Sequence, residues 1–395
     1  MTRTLSLAAI IAAAVALTAG CTLPTEEIGK PPLRPIDPTA LPGWGADGLD
    51  GLGTAIRRQC AMRAPPTPWP QLCAEFAALA GSAGKDRAPA PESLRQWIAS
   101  RFQAWPLAGD RGEATGLVTG YYEPLLTGSR VRESATQVPL YGRPDDLLTI
   151  DLAAIEPRLS GLRLRGRLEG NRVVPYHSRA DIETTRPLAG SELLWVDDRV
   201  DAFFLEIQGS GRVRLRDGTT LRVGYADQNG HPYRAIGRSL VDRGALRLED
   251  VTAPAIRRWL QDNPEQAVSV LHTNPSVVFF RELPPLPSPI AGEPEAGPPG
   301  SLGVPLTGMR SLAVDRKVIP LASLVWLDTE HPVDGRPLQR AMTAQDTGGA
   351  IAGRVRADFF WGFGDAAQEA AGRMRSRGRL WLLWPRGETP PTLSR

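Results

Sequence analysis

The sequence predicts a mainly β protein with flanking helices, built around a small barrel or sandwich. Three observations lead there. From Leu117 to Val223, and again over 301–385, short apolar runs alternate with Gly and Asp turns, the pattern of a chain of short strands. Residues 48–105 and 233–272 instead carry apolar side chains at helical spacing. Two Pro-rich stretches, about 22–45 and 284–300, show no periodicity and separate the patterned regions.

The N-terminus reads as a targeting segment. Arg3 precedes an apolar run, Leu5 to Leu17, of signal-peptide length and too short to span a bilayer. Leu17-Thr18-Ala19-Gly20-Cys21 follows. Small residues before a cysteine resemble the lipobox of bacterial lipoproteins, although Thr18 stands where Leu is usual. Residues 1–20 are therefore expected to be a signal peptide, and Cys21 the lipid-bearing end of the processed chain. Thr22, not Asp, comes next. By resemblance to enterobacterial lipoprotein sorting, this implies the periplasmic face of the outer membrane. Residues 21–47 then form a Pro-rich tether. Cys60 and Cys73 remain. An oxidising periplasm permits a disulfide between them, with two buried thiols as the alternative.

The elements follow in order. Ala55, Ile56, Cys60 and Met62 recur at near-helical spacing, as do Leu94, Trp97, Ile98 and Phe102, with Pro91-Glu92 as a helix start. Strands are expected at Leu117–Tyr122, within Arg163–Val174, and at Leu193–Trp195, Phe203–Ile207, Arg212–Leu215 and Thr220–Val223. Asp217-Gly218 joins two of them as a hairpin turn. Ile236, Leu240, Ile256, Trp259 and Leu260 mark the second helical region, and 284–300 reads as a surface loop. The last third returns to strands: Ser311–Val314, Ser323–Leu327, Arg340–Ala344, Ala357–Trp361 and Arg379–Trp384. One helix interrupts it, and Asp365 with Gln368 fits a capping box.

A formal net charge of +3 over 395 residues gives no reason to invoke nucleic acid. Chemistry is sought where polar residues break the pattern. Thr119-Gly120-Tyr121-Tyr122-Glu123-Pro124 places two tyrosines at a strand end, as groove residues or as core. Glu206-Ile207-Gln208-Gly209-Ser210-Gly211 combines an amide with glycines that permit close backbone approach, or forms a β-bulge. Gly224 to Tyr233 is a dense polar loop that needs a ligand or a web of turns. The fourth cluster carries three aspartates: Asp315 after Met309 to Val314, Asp346 within Gln345 to Ile351, and Asp358 before Phe359-Phe360-Trp361. An apolar wall beside Asp358 would raise its pKa, as a general acid requires, and Trp361 could stack on a sugar.

These aspartate segments resemble the 3D domain of the membrane-bound lytic murein transglycosylase A family. The segments TGYYEP, IQGSG, 224–238, NPSVVFF and QDTGGAI match in the same order, over roughly residues 115–385. The resemblance implies a double-psi β-barrel interrupted by an inserted β-barrel-like domain, with a groove between them. Carried onto this chain, the barrel with its N-terminal helices takes 48–124 and 244–395, with the 3D segment at about 301–385, and the insert takes 125–243. It implies a lytic transglycosylase that cuts the MurNAc-β-1,4-GlcNAc bond of peptidoglycan glycan strands and leaves 1,6-anhydroMurNAc ends. Asp358 would be the single acid and then the base, with Asp346 and Asp315 in support. Thr119, Tyr121, Tyr122, Gln208, Ser210, Gly211, Gly348, Gly349 and Trp361 are the expected substrate-binding residues. The stretch from Gly349 to Asp358 is one residue longer than in the family pattern.

No metal and no cofactor are expected, and a monomer suffices. A metal site on Asp315, Asp346 and Asp358 would use carboxylates alone, suited to Mg or Ca, with no His or Cys in support. Gly362-Phe363-Gly364-Asp365-Ala366-Ala367 imitates a dinucleotide fingerprint, but the chain ends too soon to complete the unit. Neither Ser210 nor Ser311 has a nucleophile-elbow context. The remaining rival is a peptidoglycan-binding, expansin-like lipoprotein without turnover.

Overall fold

The computed structural model describes residues 34–80, 88–160, 162, 164–285 and 294–391. The signal peptide, Cys21 and residues 22–33 of the expected tether lie outside the described residues; 34–47 is not a tether, since Leu41, Trp44 and Asp47 are buried. Three helices come first: α1 (Leu52–Cys60), α2 (Trp69–Ala80) and α3 (Pro91–Arg101). Then come β1 (Phe102–Pro106) and β2 (Gly116–Glu123). Next are β3 (Leu125–Ser129), β4 (Val138–Tyr141), β5 (Leu148–Ile150), β6 (Leu164–Glu169), β7 (Arg172–Pro175), α4 (Arg179–Thr185) and β8 (Glu192–Val196). They are followed by α5 (Arg199–Gln208), β9 (Ser210–Arg214), β10 (Thr220–Gln228), α6 (Ile236–Asp242), α7 (Ala253–Asp262), α8 (Pro264–Leu271) and β11 (Val278–Leu283). The chain finishes with β12 (Ala296–Pro299), β13 (Pro305–Thr307), β14 (Ser311–Val314), β15 (Leu324–Glu330), β16 (Pro337–Asp346), β17 (Arg356–Phe363), α9 (Asp365–Arg373) and β18 (Arg375–Pro385).

Six strands close on themselves in the order β18-β15-β16-β14-β17-β2, because β2 also pairs with β18; β1 extends the sheet beyond β18. Two of the pairings, β14 with β16 and β17 with β2, are parallel. Period-two alternation decides what faces inward. Val118 and Tyr122, Val325 and Leu327, Met342 and Ala344, Phe359 and Trp361, and Leu380 and Leu382 share one buried cluster inside the barrel. The alternate residues of three strands, among them Leu324, Trp326, Ala341, Trp381 and Leu383, pack outward against α1–α3. These strands are covered on both faces, so their sequences read as unbroken apolar runs. Arg310 is fully buried at this seam. It donates to both carboxylate oxygens of Asp47, at 2.7 and 2.8 Å, and to the carbonyls of Asp50 and Ala341. A disulfide joins Cys60, at the end of α1, to Cys73 in α2.

The second body is a sheet in the order β11-β10-β9-β3-β8-β4, and an isolated bridge from Gly142 to Phe280 brings its two edges together. Its core holds Leu126, Leu140, Leu194, Val213, Val223 and Phe280, with Leu205 of α5 packed into it. Phe203 and Phe204 on other faces of α5 pack with Leu240 of α6, Leu260 of α7 and Val270 of α8. A separate three-stranded sheet, β5-β6-β7, completes this region.

Five local expectations change. Phe203–Ile207 is helix, not strand: Asp198 caps α5 by accepting from the Asp201 N–H, and Gly209 ends it at φ 77°. The insert does not end at 243, because β11 pairs with β10 (Arg222 opposite Leu283) and draws α6–α8 with it. Part of the expected loop at 284–300 forms β12, paired with β13. Asp365 is the first helical residue of α9 rather than its cap; that position falls to Gly364, and the capping box does not form. The helical stretch expected to run to 105 gives way at Phe102 to β1, which pairs with β18.

Candidate active site on the outer face of the barrel

On β17 the inward residues are Ala357, Phe359 and Trp361, so Asp358 and Phe360 face out of the barrel. The parallel neighbour β2 runs in register, with Asp358 opposite Thr119 and Phe360 opposite Tyr121. β14 flanks the other side, with Ala313 opposite Asp358. Two separate stretches of chain thus bring one carboxyl, one threonine and one tyrosine onto a shared face.

Asp358 is half-buried. The Thr119 hydroxyl donates to its Oδ1 at 2.6 Å and accepts from Arg356 at 2.9 Å. Burial pushes the Asp358 carboxyl up to about 6. The Thr119 hydrogen bond and the Arg356 charge pull it down, and the Asp346 charge raises it further. Asp346 ends β16 and is differently placed. Its Oδ1 accepts from the Ser301 N–H and hydroxyl and from the Thr347 N–H, each at 2.9 Å. Its Oδ2 accepts from the Tyr121 hydroxyl at 3.0 Å. Four donors therefore occupy Asp346, while burial raises its pKa and those bonds oppose the rise. Burial and the two nearby aspartates hold the Tyr121 phenol protonated, well above its ordinary range. Tyr121 also packs on Phe360, with ring centroids 5.1 Å apart.

Asp315 does not join this pair. Its Oδ1 accepts from the Lys317 N–H and its Oδ2 from the Gly353 N–H at 2.9 Å, which ties down the 348–355 loop ahead of β17. Gly348 and Gly349 are exposed in that loop, where the Gly348 carbonyl accepts from the Ile351 N–H. Among the described residues no group of three or more His, Cys, Asp or Glu side chains is placed to hold a metal ion.

Trp361 is a correction. It is 8 % exposed and packs inside the barrel against Phe359, with its indole N–H against Met374 Sδ, so it offers no face to a sugar. Its bulk explains Gly120: a Cβ there would lie 2.6 Å from the indole nitrogen and 2.9 Å from Ala371 Cα. Tyr122 is likewise buried in the barrel, with Arg257 of α7 donating to its hydroxyl. Gly211 is buried under Leu205, where a Cβ would meet Cδ1 at 2.4 Å, and is a packing glycine. Ser210 is half-buried, opposite Gly224 on β10.

Gln208 bridges the two bodies: its Oε1 accepts from the Tyr122 N–H at 3.0 Å. It also lines a cleft of about 830 Å³ between α9 and the helices of the insert, with Gly120, Phe204, Tyr233, Arg257 and Gln368. Asp358 does not line this cleft, although Gly120 and Tyr122 of its partner strand do. Two contributors escaped sequence reasoning. Ser301 is the first residue after the Pro/Gly segment 284–300, at the start of the stretch read as strands, and Arg356 faces the same way as Asp358 two residues before it. A period-two reading of 356–361 would have found Arg356; no local signal marks Ser301.

Comparison with known proteins places this geometry. Residues 117–281 match the MltA specific insert domain and residues 310–384 match the 3D domain. The membrane-bound lytic murein transglycosylase A of Escherichia coli (strain K12) is 34% identical over 291 residues, 71% of this chain and 69% of that protein. A monoclinic crystal structure of MltA from Neisseria gonorrhoeae superposes with a TM-score of 0.76 at 35% identity, over 91% of this chain and 94% of that one. A crystal structure of E. coli MltA with bound chitohexaose gives a TM-score of 0.65 at 26% identity, over 90% and 95%.

Proposed function

This chain belongs to the membrane-bound lytic murein transglycosylase A family, a family of peptidoglycan-degrading lyases, and from that premise we propose that Asp358 alone carries the bond cleavage. The bond is the MurNAc-β-1,4-GlcNAc linkage of peptidoglycan. The observation that carries the reading is the contrast between two carboxyls. Asp358 sits on the outer face with a pKa pushed up to about 6. Asp346 beside it has both oxygens engaged by four donors.

A glycosidase that uses water needs a second free carboxylate to supply the nucleophile or activate the water. Asp346 is too occupied for that task. An intramolecular nucleophile removes the need. Protonated Asp358 donates to the glycosidic oxygen, and the C1–O bond of N-acetylmuramic acid breaks toward an oxocarbenium-like centre. The C6 hydroxyl of the same sugar bonds to C1, and its proton returns to the Asp358 carboxylate. The nucleophile is tethered to the reacting centre, so its approach costs little entropy. The product is a 1,6-anhydroMurNAc end, and Asp358 is left protonated as at the start. Thr119 orients the carboxyl, and the Asp346–Tyr121–Ser301 set holds a fixed negative charge near the developing cation.

The glycan runs past Asp358 between the two bodies. The chitohexaose carried by the E. coli relative supports glycan binding as the general mode. Gln208 binds it from the insert side, since its Oε1 is taken by Tyr122 while its amide hydrogens remain for a sugar. Lipid on Cys21 would hold the enzyme at the periplasmic face of the outer membrane, and one chain suffices for the chemistry. The test is digestion of murein sacculi by the chain starting at residue 22, beside its Asp358→Asn variant, with released muropeptides analysed by mass spectrometry. Anhydro ends from the parent and none from the variant are expected. Reducing ends would mean attack by water and overturn the mechanism. A folded parent that binds sacculi and releases nothing would make the protein a binding module.

A further inference from the structure

Arg340, on β16, is a cation with too little to hold it. The one carboxylate it contacts is Asp47, and Asp47 is already full. Its Oδ1 accepts from Arg310 at 2.7 Å and from the Leu49 N–H at 3.0 Å. Its Oδ2 accepts from Arg310 at 2.8 Å and from the Ala341 N–H at 2.9 Å. A carboxylate offers about four lone-pair sites, so none is left. Arg340 Nε stops 3.9 Å from Oδ1, beyond hydrogen-bond reach, and among the described residues its guanidinium donates no hydrogen bond. Two guanidiniums thus share one buried carboxylate, although the Arg340 side chain is only 19 % exposed. Burial and the Arg310 charge pull the Arg340 pKa down to about 10, and the charges of Asp47 and Asp50 do not make up the difference. Buried charges are ordinarily paired.

The guanidinium lines a cavity of about 340 Å³, together with Asp47, Gly48 and, from the β15–β16 hairpin, His331, Arg336 and Gln339. The other charges around it are matched. Asp334 lies 2.8 Å from Arg336 and 3.0 Å from His331, and Asp328 accepts from Gln339 and Arg379. Asp50 is exposed and acts on Arg340 without forming an ion pair. None of the residues that hold Asp358 lines this cavity, so it stands apart from the proposed cleavage site. Its missing component is an anion that brings its own oxygens. A sugar hydroxyl would leave the charge unmet, and a metal cation would be repelled. One carboxylate satisfies one guanidinium here, as Asp47 does for Arg310. A phosphate monoester is close to a dianion at neutral pH, so it can meet the planar fork of Arg340 and also offset the field of Arg310 behind it. We propose that this cavity is an oxyanion site that takes a phosphate group, with Arg340 as its principal ligand. The group arrives as free phosphate or as a monoester on a larger molecule, and Arg340 meets the chemistry that the two share.

The test uses the chain starting at residue 22, since residues 34–395 form one compact unit. It is titrated calorimetrically in phosphate-free buffer at about pH 7.5 and fixed ionic strength, with inorganic phosphate and with glycerol 3-phosphate. Saturable binding at one site per chain is expected. Arg340→Gln should weaken it at least about tenfold, the loss of a hydrogen-bonded charge. Asp50→Asn removes a competing negative charge at the edge of the site and should tighten binding about two- to fivefold. Cleavage of soluble glycan fragments should be unchanged in both variants. Phosphate should raise the Tm of the parent and not that of Arg340→Gln. In phosphate-free buffer that variant should melt no lower than the parent, because it lacks the charge that Arg310 repels. The Asp50→Asn arm decides the matter if Arg340→Gln fails to fold. Tighter binding of glycerol 3-phosphate than of inorganic phosphate would assign the site to an ester, and the reverse order to the free ion. Absence of binding by both probes, binding that survives Arg340→Gln, or binding that Asp50→Asn fails to tighten would overturn the proposal.

Discussion

At the scale of single residues, the proposed chemistry turns on how far burial raises the pKa of one carboxyl. Asp358 has its pKa raised from 3.8 to about 6, chiefly by burial. Its protonated fraction falls tenfold for each unit above about 6, so kcat/KM should fall with the same slope on the alkaline side. Two neighbours should move that limb in opposite directions. Thr119→Val deletes a bond that favours the ionised form and should shift the limb to higher pH. Asp346→Asn deletes a charge that disfavours it and should shift the limb lower. Opposite shifts on a soluble glycan would tie both residues to the titration of Asp358; limbs that stay in place would sever them from it. The same carboxyl weighs on stability. Its folded pKa exceeds its unfolded one, so the folded state binds more protons between about pH 4 and 6, and stability falls as pH rises through that window. Asp358→Asn should therefore stabilise the protein at pH 7.5 by about 1–3 kcal/mol, discounted for partial exposure, and have little effect below pH 4. Thermal denaturation at the two pH values reads this directly.

At the scale of elements, two devices fix the N-terminal region, one tying α1 to α2 and one tying the chain before α1 to the barrel. The Cys60–Cys73 disulfide closes a loop of about the length for which loss of chain entropy predicts roughly 3 kcal/mol. Reduction, or Cys60→Ser/Cys73→Ser, should lower Tm without moving the alkaline limb of the activity. The buried Arg310–Asp47 pair is the second device. Asp47→Asn leaves the Arg310 charge uncompensated and should cost about 3–5 kcal/mol in urea unfolding, more than the disulfide. Elements also show what local sequence conveys. Leu380 to Trp384 and Leu324 to Leu327 were legible as strands because burial on both faces leaves continuous apolar runs. Phe203–Ile207 was misread because three consecutive apolar residues, two of them Phe, suit a strand as well as a helix buried on several sides. Asp198 and Gly209, its true caps, were the better signal. Ser301 was invisible, since its role depends on β12 and β13 delivering it to Asp346, some forty-five residues on.

At the scale of the molecule, the proposed function assigns chemistry and substrate recognition to different bodies, and that division can be tested. Asp358, Thr119, Tyr121 and Asp346 belong to the barrel, and their order along the face follows from the parallel pairing of β2 with β17. The motif segments were legible in sequence one by one. Their juxtaposition was not, because parallel neighbours some 240 residues apart leave no local trace. The insert contributes Gln208, held against β2 by the Tyr122 N–H. Gln208→Glu keeps that acceptor and exchanges the amide donors for a carboxylate oxygen, so the joint between the bodies survives while the proposed donor contact to sugar is lost. One hydrogen bond of about 1–1.5 kcal/mol corresponds to a five- to tenfold rise in KM on glycan chains. The alkaline limb at about 6 should stay where the parent has it, and kcat should change little, because nothing around Asp358 has been altered. Barrel variants should show the reverse, a moved limb with KM nearly intact. A Gln208→Glu enzyme whose limb shifts while its KM holds would place Gln208 within the electrostatics of the acid, and the division of labour between barrel and insert would fall.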